Sequence, residues 1–251
     1  MKRRLLLALA AALMAAPAFA APEPYIAQAL ADPARASQAG QDAQRKPGDI
    51  LAFAGVKPGD KVVDLIPGGG YFTRLFSKIV GPKGRVYALW PNEYLAEERS
   101  GADNSRKLAE DPAFPNLTVL VQPAAAFTAP EPVDLVFTSQ NYHDYPDKFM
   151  GKVDPVAFDR QVYAALKPGG VFLIVDHAAQ TGSGLRDTDT LHRIDPEIVK
   201  AELKEAGFVF AGESPALGNP ADDHTKLVFD PAIRGHTDQF VFKFVKPGAR
   251  R

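Results

Sequence analysis

Five histidines are the side chains of this 251-residue chain best suited to moving a proton near neutral pH, and each follows a strand-like stretch or lies in a loop. Three have telling neighbours, in His143-Asp144, Asp176-His177 and His192-Arg193. The first pair falls in Ser139-Gln140-Asn141-Tyr142-His143-Asp144-Tyr145, the most polar and aromatic cluster in the chain. A neutral imidazole there takes the proton of a hydroxyl or amine as that group attacks an electrophile, with Asp144 or Asp176 orienting the base. His143, Asp144 and His177 are therefore the candidate catalytic residues. The bland alternative is that each histidine only holds loop geometry. A further reading makes His143, Asp144, His177 and His192 ligands of a divalent metal in a hydrolase. Their scattered spacing gives no local signature such as H-E-x-x-H, so no metal ligand is assigned.

The second chemical feature is the stretch Val62-Val63-Asp64-Leu65-Ile66-Pro67-Gly68-Gly69-Gly70-Tyr71-Phe72-Thr73. It reads as strand, tight turn, helix. Lys61 to Ile66 suits a buried parallel strand, and Phe72, Leu75, Phe76, Ile79 and Val80 recur at helical spacing. Glycines at such a junction let a ligand approach the backbone without a Cβ in the way, while free N–H groups of the helix point at it. A small cofactor is expected across this turn.

The elements that position these residues follow in order. Strands are expected at Arg85–Leu89, Leu117–Val121, Val133–Thr138, Val171–Val175, from Phe208, and at Phe240–Val245. Helices are expected at Asp154–Leu166 and from Asp195-Pro196 to Ala206. The polar cluster then sits at the carboxyl end of the fourth strand and Asp176-His177 at that of the fifth, where open α/β sheets bind ligands. The link from Leu217 to Gln239, with Asp222, Asp223, His224, Arg234 and His236, is long enough to be functional.

Two motifs carry a resemblance to the class I S-adenosylmethionine (SAM)-dependent methyltransferases. Their first motif is an acid followed by G-x-G-x-G; Asp64 matches the acid, Gly68 and Gly70 the second and third glycines, and Ile66 stands in place of the first. About a hundred residues later, Leu166-Lys167-Pro168-Gly169-Gly170 resembles the LKPGG run before strand five. The resemblance covers roughly residues 47–245. It implies an α/β fold with a Rossmann-like, seven-stranded, mostly parallel sheet, helices on both faces and an antiparallel last strand. It also implies SAM as cofactor, held by Asp64, Pro67, Gly68, Gly70, Tyr71, Trp90, Glu93 and Asn141. The family's ribose-binding acid is replaced by Trp90 at the end of strand two, with Glu93 three residues later; Trp90 either stacks on adenine or packs. The function so implied is methyl transfer to a small-molecule acceptor. The alternative is a non-catalytic small-ligand-binding protein on the same fold.

The ends and the composition bound the rest. Lys2, Arg3 and Arg4, an apolar stretch from Leu5 to Ala16, and Ala18-Phe19-Ala20 form an export signal, with cleavage expected after Ala20 and a periplasmic or secreted product. No stable membrane insertion is expected after cleavage. Residues 21–60 read as a helical extension, whose Arg35, Arg45 and Lys46 are available to an anionic ligand, and 61–251 as the methyltransferase-like domain. Without residues 1–20 the chain has 26 Lys and Arg against 30 Asp and Glu, a net charge of −4, so no nucleic-acid partner is expected. The chain has no cysteine, which excludes disulfides, thiolate metal sites and a Cys nucleophile.

Overall fold

The computed structural model describes residues 23–248; the expected export signal lies outside them, as do Ala21 and Pro22 of the extension. Among the described residues seven strands run β1 (Lys61–Leu65), β2 (Arg85–Pro91), β3 (Leu117–Gln122), β4 (Val133–Ser139), β5 (Leu166–His177), β6 (Val209–Glu213) and β7 (Gln239–Val245). They form one sheet in the order β3-β2-β1-β4-β5-β7-β6. The first five are parallel, and β7 enters antiparallel between β5 and β6. The order reverses between β1 and β4, so the chain leaves both strands in opposite directions and opens a crevice at their carboxyl ends.

Helices cover both faces because the central strands are apolar on both. Before the sheet come α1 (Pro24–Leu30), α2 (Asp42–Arg45) and α3 (Pro47–Ala54), with a 3-10 segment Pro33–Gln41 between α1 and α2. Then follow α4 (Tyr71–Val80), α5 (Tyr94–Glu97), α6 (Gly101–Glu110), α7 (Pro155–Ala165), α8 (Thr188–Leu191) and α9 (Pro196–Glu205). Val62 of β1 packs with Phe72, Leu75, Phe76 and Ile79 of α4 and with Ile50 and Leu51 of α3. Its neighbours Val63 and Leu65 belong to the opposite layer, with Phe158 and Val162 of α7 and Val199 and Leu203 of α9. Burying each such side chain contributes roughly 1.5–3 kcal/mol, so α4 is held by its apolar face rather than by propensity.

One local departure from the sequence reading and one addition to it have physical causes. The K-P-G-G run is not a helix stop before a strand but lies inside β5, which already begins at Leu166. Gly169 at φ +81° and a register shift against β4 between Val133 and Leu135 absorb the run, and Gly169 N–H still donates to the Lys246 carbonyl at 2.8 Å. The long link before β7 puts Val228 and Phe229 against the cavity at the sheet's carboxyl end, and it is also a structural brace. Arg193, fully buried, pairs with Asp222 at 2.9 Å and donates to the carbonyls of Lys226 and Ala178. Removing one partner of such a buried pair costs about 3–5 kcal/mol.

Candidate functional site

A cavity of about 970 Å³ opens at the carboxyl ends of β1, β4 and β5. One wall is the turn after β1. Ile66, Pro67, Gly68 and Gly69 line it, followed by Tyr71 and Phe72 from the first turn of α4. Gly68 has φ +54°, and a Cβ added at Gly68 or Gly69 meets nothing within 4 Å, since both face open cavity. Ile66 also has a positive φ, +51°, which a β-branched residue adopts only under strain of about 1–2 kcal/mol. Its N–H donates to Leu89 at 2.8 Å, and its carbonyl accepts from Asn141 Nδ2 at 3.2 Å. These bonds keep the bend that the missing glycine would have made easy. Gly70 caps α4 at φ +73° and does not line the cavity; a Cβ there would stand 2.9 Å from Arg74 and from Leu108.

Asp64 lines the cavity floor and accepts from the Thr73 hydroxyl at 2.6 Å. Burial pushes its carboxyl up to about 7, against the pull of the Thr73 hydrogen bond and of Arg45. Arg45 is the one cation of the extension on the cavity wall among the three expected there. Its guanidinium lies 4.9 Å from the centre of the Tyr71 ring. Arg35 is instead consumed by Asp42 and the Leu30 carbonyl, and Lys46 does not reach the cavity.

Two more expected cofactor contacts, besides Gly70, lie elsewhere. Trp90 is fully buried in the core, donates from Nε1 to Ser105 Oγ at 2.9 Å, and lies against Gly101, where a Cβ would be 2.5 Å from the ring. It packs; it does not stack on a ligand. Glu93 turns away from the cavity and accepts the N–H of Ala124 at 2.8 Å, fixing the loop after β3. On the cavity side of β2, Tyr94, Glu97 and Glu98 of the α5 turn take that place. The sequence signal for them was only an acidic pair beyond Trp90.

The opposite wall carries the imidazoles. His143, Asp144, His177 and His192 all line the cavity. His143 is fixed by Asp176, which accepts from the ring Nδ1 at 2.8 Å and from the His143 N–H at 2.9 Å. The ring's Nε2 then lies 3.2 Å from His192 Nδ1 and 3.3 Å from Asp144 Oδ1. His177 approaches His143 with ring centres 6.3 Å apart, and its Nδ1 meets the Thr237 hydroxyl at 2.8 Å. His143 is thus nearer to His192, which the sequence pairs with Arg193; a left-handed φ of +51° at His192 swings that ring onto His143.

The electrostatics correct the expectation of a neutral imidazole at position 143. Burial opposes its charge, but Asp176 and Asp144 outweigh burial and push His143 up to about 9. Burial raises Asp144 to about 7, partly offset by the His143 charge. Burial lowers His177 to about 4, so that ring is neutral at pH 7.

A Rossmann-like sheet in this strand order, with a glycine turn after β1 and a cavity at its switch point, is the fold of the class I SAM-dependent methyltransferases. Solved structures agree. A SAM-dependent methyltransferase from Aquifex aeolicus superposes with a TM-score of 0.56 at 20% identity, over 88% of this chain and 96% of that one. The glycopeptide N-methyltransferase MtfA, complexed with sinefungin, gives 0.53 at 19% identity, over 83% and 87%. The [4+2]-cyclase SpnF gives 0.62 at 15% identity, over 91% and 98%. No family model matches the chain. In sequence it is similar to the ubiquinone/menaquinone biosynthesis C-methyltransferase UbiE of Hydrogenovibrio crunogenus, 30% identical over 132 residues, which are 52% of this chain and 47% of that protein. The same-named protein of Pasteurella multocida is 32% identical over 124 residues, 49% and 42% respectively. The chain thus spans less than half the length of the curated relatives it matches. The chain thus has the fold of the class I SAM-dependent methyltransferases, and about half of it is similar in sequence to two C-methyltransferases.

Proposed function

We propose that this protein transfers the methyl group of SAM to a small-molecule acceptor. The observation that carries the reading is one cavity joining the open glycine turn after β1 to the imidazole–carboxylate cluster after β4 and β5. The residues present fit the cofactor. Gly68 and Gly69 leave uncovered backbone, Arg45 supplies a cation for a carboxylate, and Glu97 and Glu98 supply acceptors for hydroxyls in place of the absent acid at the end of β2. When bound there, SAM supplies an electrophilic methyl carbon. The protein's part is to hold the two reactants in line and exclude water, the kind of positioning that removes several kcal/mol of barrier. The proton of an acceptor hydroxyl or amine passes to the Asp144 carboxylate, and the charged His143 ring beside it, fixed by Asp176, stabilises that carboxylate. His177 lies beside them as a neutral imidazole able to hydrogen-bond the acceptor.

Labelled SAM offered with a panel of small hydroxyl- and amine-bearing acceptors tests this. Label should pass to at least one class, and His143→Ala should reduce transfer by at least 100-fold while SAM affinity changes little. The second reading, a ligand-binding protein on this fold, is favoured by the missing ribose acid. It predicts SAM or product binding with no transfer to any acceptor. The leader-like residues 1–20 support export; a mature N-terminus at Ala21 in a secreted or periplasmic fraction is the expected result.

A further inference from the structure

We propose that His143, Asp144 and His192 form a binding site for one divalent transition-metal ion. The site goes beyond methyl transfer and does not depend on it.

The argument is geometric. His143 Nε2, His192 Nδ1 and Asp144 Oδ1 form a triangle with sides of 3.2, 3.3 and 3.9 Å. A point equidistant from three atoms so spaced lies about 2.0 Å from each, the length of zinc–nitrogen and zinc–carboxylate bonds. An ion at that point lies in the plane of its two imidazole and one carboxylate ligands, which leaves positions off that plane for water or an acceptor oxygen from the cavity. The ligand types select zinc, iron(II), manganese, cobalt or nickel over magnesium and calcium, which prefer all-oxygen shells.

The surroundings of the triangle are those of a ligand set rather than of a chance contact. Asp176 accepts a hydrogen bond from His143 Nδ1 at 2.8 Å, which fixes the ring and leaves Nε2 as the coordinating atom. Asp176 is itself held by the N–H groups of His143 and His177 at 2.9 and 2.7 Å. His143 and Asp144 are buried, while the His192 side chain is a third exposed, which gives an ion a route from the cavity mouth. An ion would displace the proton on His143 Nε2 and take all three atoms as ligands. Ion and acceptor-derived proton are alternatives, because Nε2 and Oδ1 cannot hold both. With an ion seated, an acceptor hydroxyl bound to it would be made more acidic and would release its proton to water in the cavity.

The test uses the untagged protein, stripped with chelator, dialysed free of it, and titrated with Zn²⁺ and Mn²⁺ by equilibrium dialysis with elemental analysis. One ion should bind per chain. His192→Ala and Asp144→Asn should each weaken binding at least tenfold, and Asp176→Asn should weaken it less. Circular dichroism and thermal unfolding in chelator establish that each variant is folded; His192→Ala, at a partly exposed position, is the variant expected to fold normally. No stoichiometric binding by folded wild-type protein, or binding that survives both ligand substitutions, overturns the site. SAM titration of the same chelated sample keeps the outcomes separate, since the methyltransferase reading requires SAM binding whether or not an ion is held.

Discussion

His143 Nδ1 stands 2.8 Å from Asp176 Oδ1, joining the turn after β4 to the last residues of the adjacent parallel strand β5. Asp176 is fully buried, and the charge and hydrogen bonds of His143 hold its carboxyl below its ordinary value against the pull of burial. Asp176→Ala leaves His143 without its anion and should cost about 3–5 kcal/mol in urea unfolding. Asp176→Asn should fold, retain SAM affinity, and lose at least tenfold in methyl transfer. Equal loss of SAM affinity and turnover would assign Asp176 a purely structural role.

Gly68→Ala separates folding from binding. The added methyl meets no protein atom, so the cost to stability is the left-handed strain alone, about 1 kcal/mol. The methyl intrudes on the cavity, so SAM affinity should fall at least tenfold by calorimetry. Gly70→Ala should do the reverse, costing more stability through Arg74 and Leu108 and affecting SAM less directly.

Trp90 is the single tryptophan of the chain, so intrinsic fluorescence reports on it alone. Its complete burial and its bond to Ser105 predict emission that SAM does not quench. Trp90→Phe should lower stability by about 1–2 kcal/mol and leave SAM affinity within about twofold. Strong quenching by SAM would place adenine on the ring after all.

A buried acid pair sets a pH dependence away from the site. Tyr142 Oη lies 2.9 Å from Asp159 Oδ2 and 3.0 Å from Glu202 Oε2, and one hydroxyl proton cannot serve both carboxylates. Burial raises Glu202 from 4.5 to about 7. Because the folded value lies above the unfolded one, the contribution of Glu202 is full below about pH 4.5 and is lost as pH rises through about 7. Glu202→Gln cannot ionise, so its unfolding free energy should fall less between pH 5 and 8, by about 1–3 kcal/mol. Parallel pH profiles for the two proteins would contradict this.

How much of this was legible in the sequence follows from the range of each interaction. The parallel strands were readable because both faces of each are buried, which writes continuous runs such as Leu135-Val136-Phe137 into the chain. The glycine turn and the approach of His143 to His177 follow from local composition and sheet order. Trp90 was not assignable, because what buries it is the absence of a Cβ at Gly101, eleven residues on in another element. Glu93 was misplaced for the same reason, since its partner is the backbone of Ala124 after the next strand. The partnership of His143 with His192 depends on a left-handed residue in the loop beyond β5, which no periodicity records. The three ligand atoms of the triangle come from positions 143, 144 and 192, too dispersed for a local signature.

The most direct test of the central claim is calorimetric titration of the purified protein with SAM and with its demethylated product, repeated for Asp64→Ala and Arg45→Ala. The account predicts saturable 1:1 binding in the micromolar range, weakened at least tenfold by either substitution. Absence of heat and of any thermal stabilisation in a sample folded by circular dichroism would contradict it, leaving the methyltransferase fold with a different ligand.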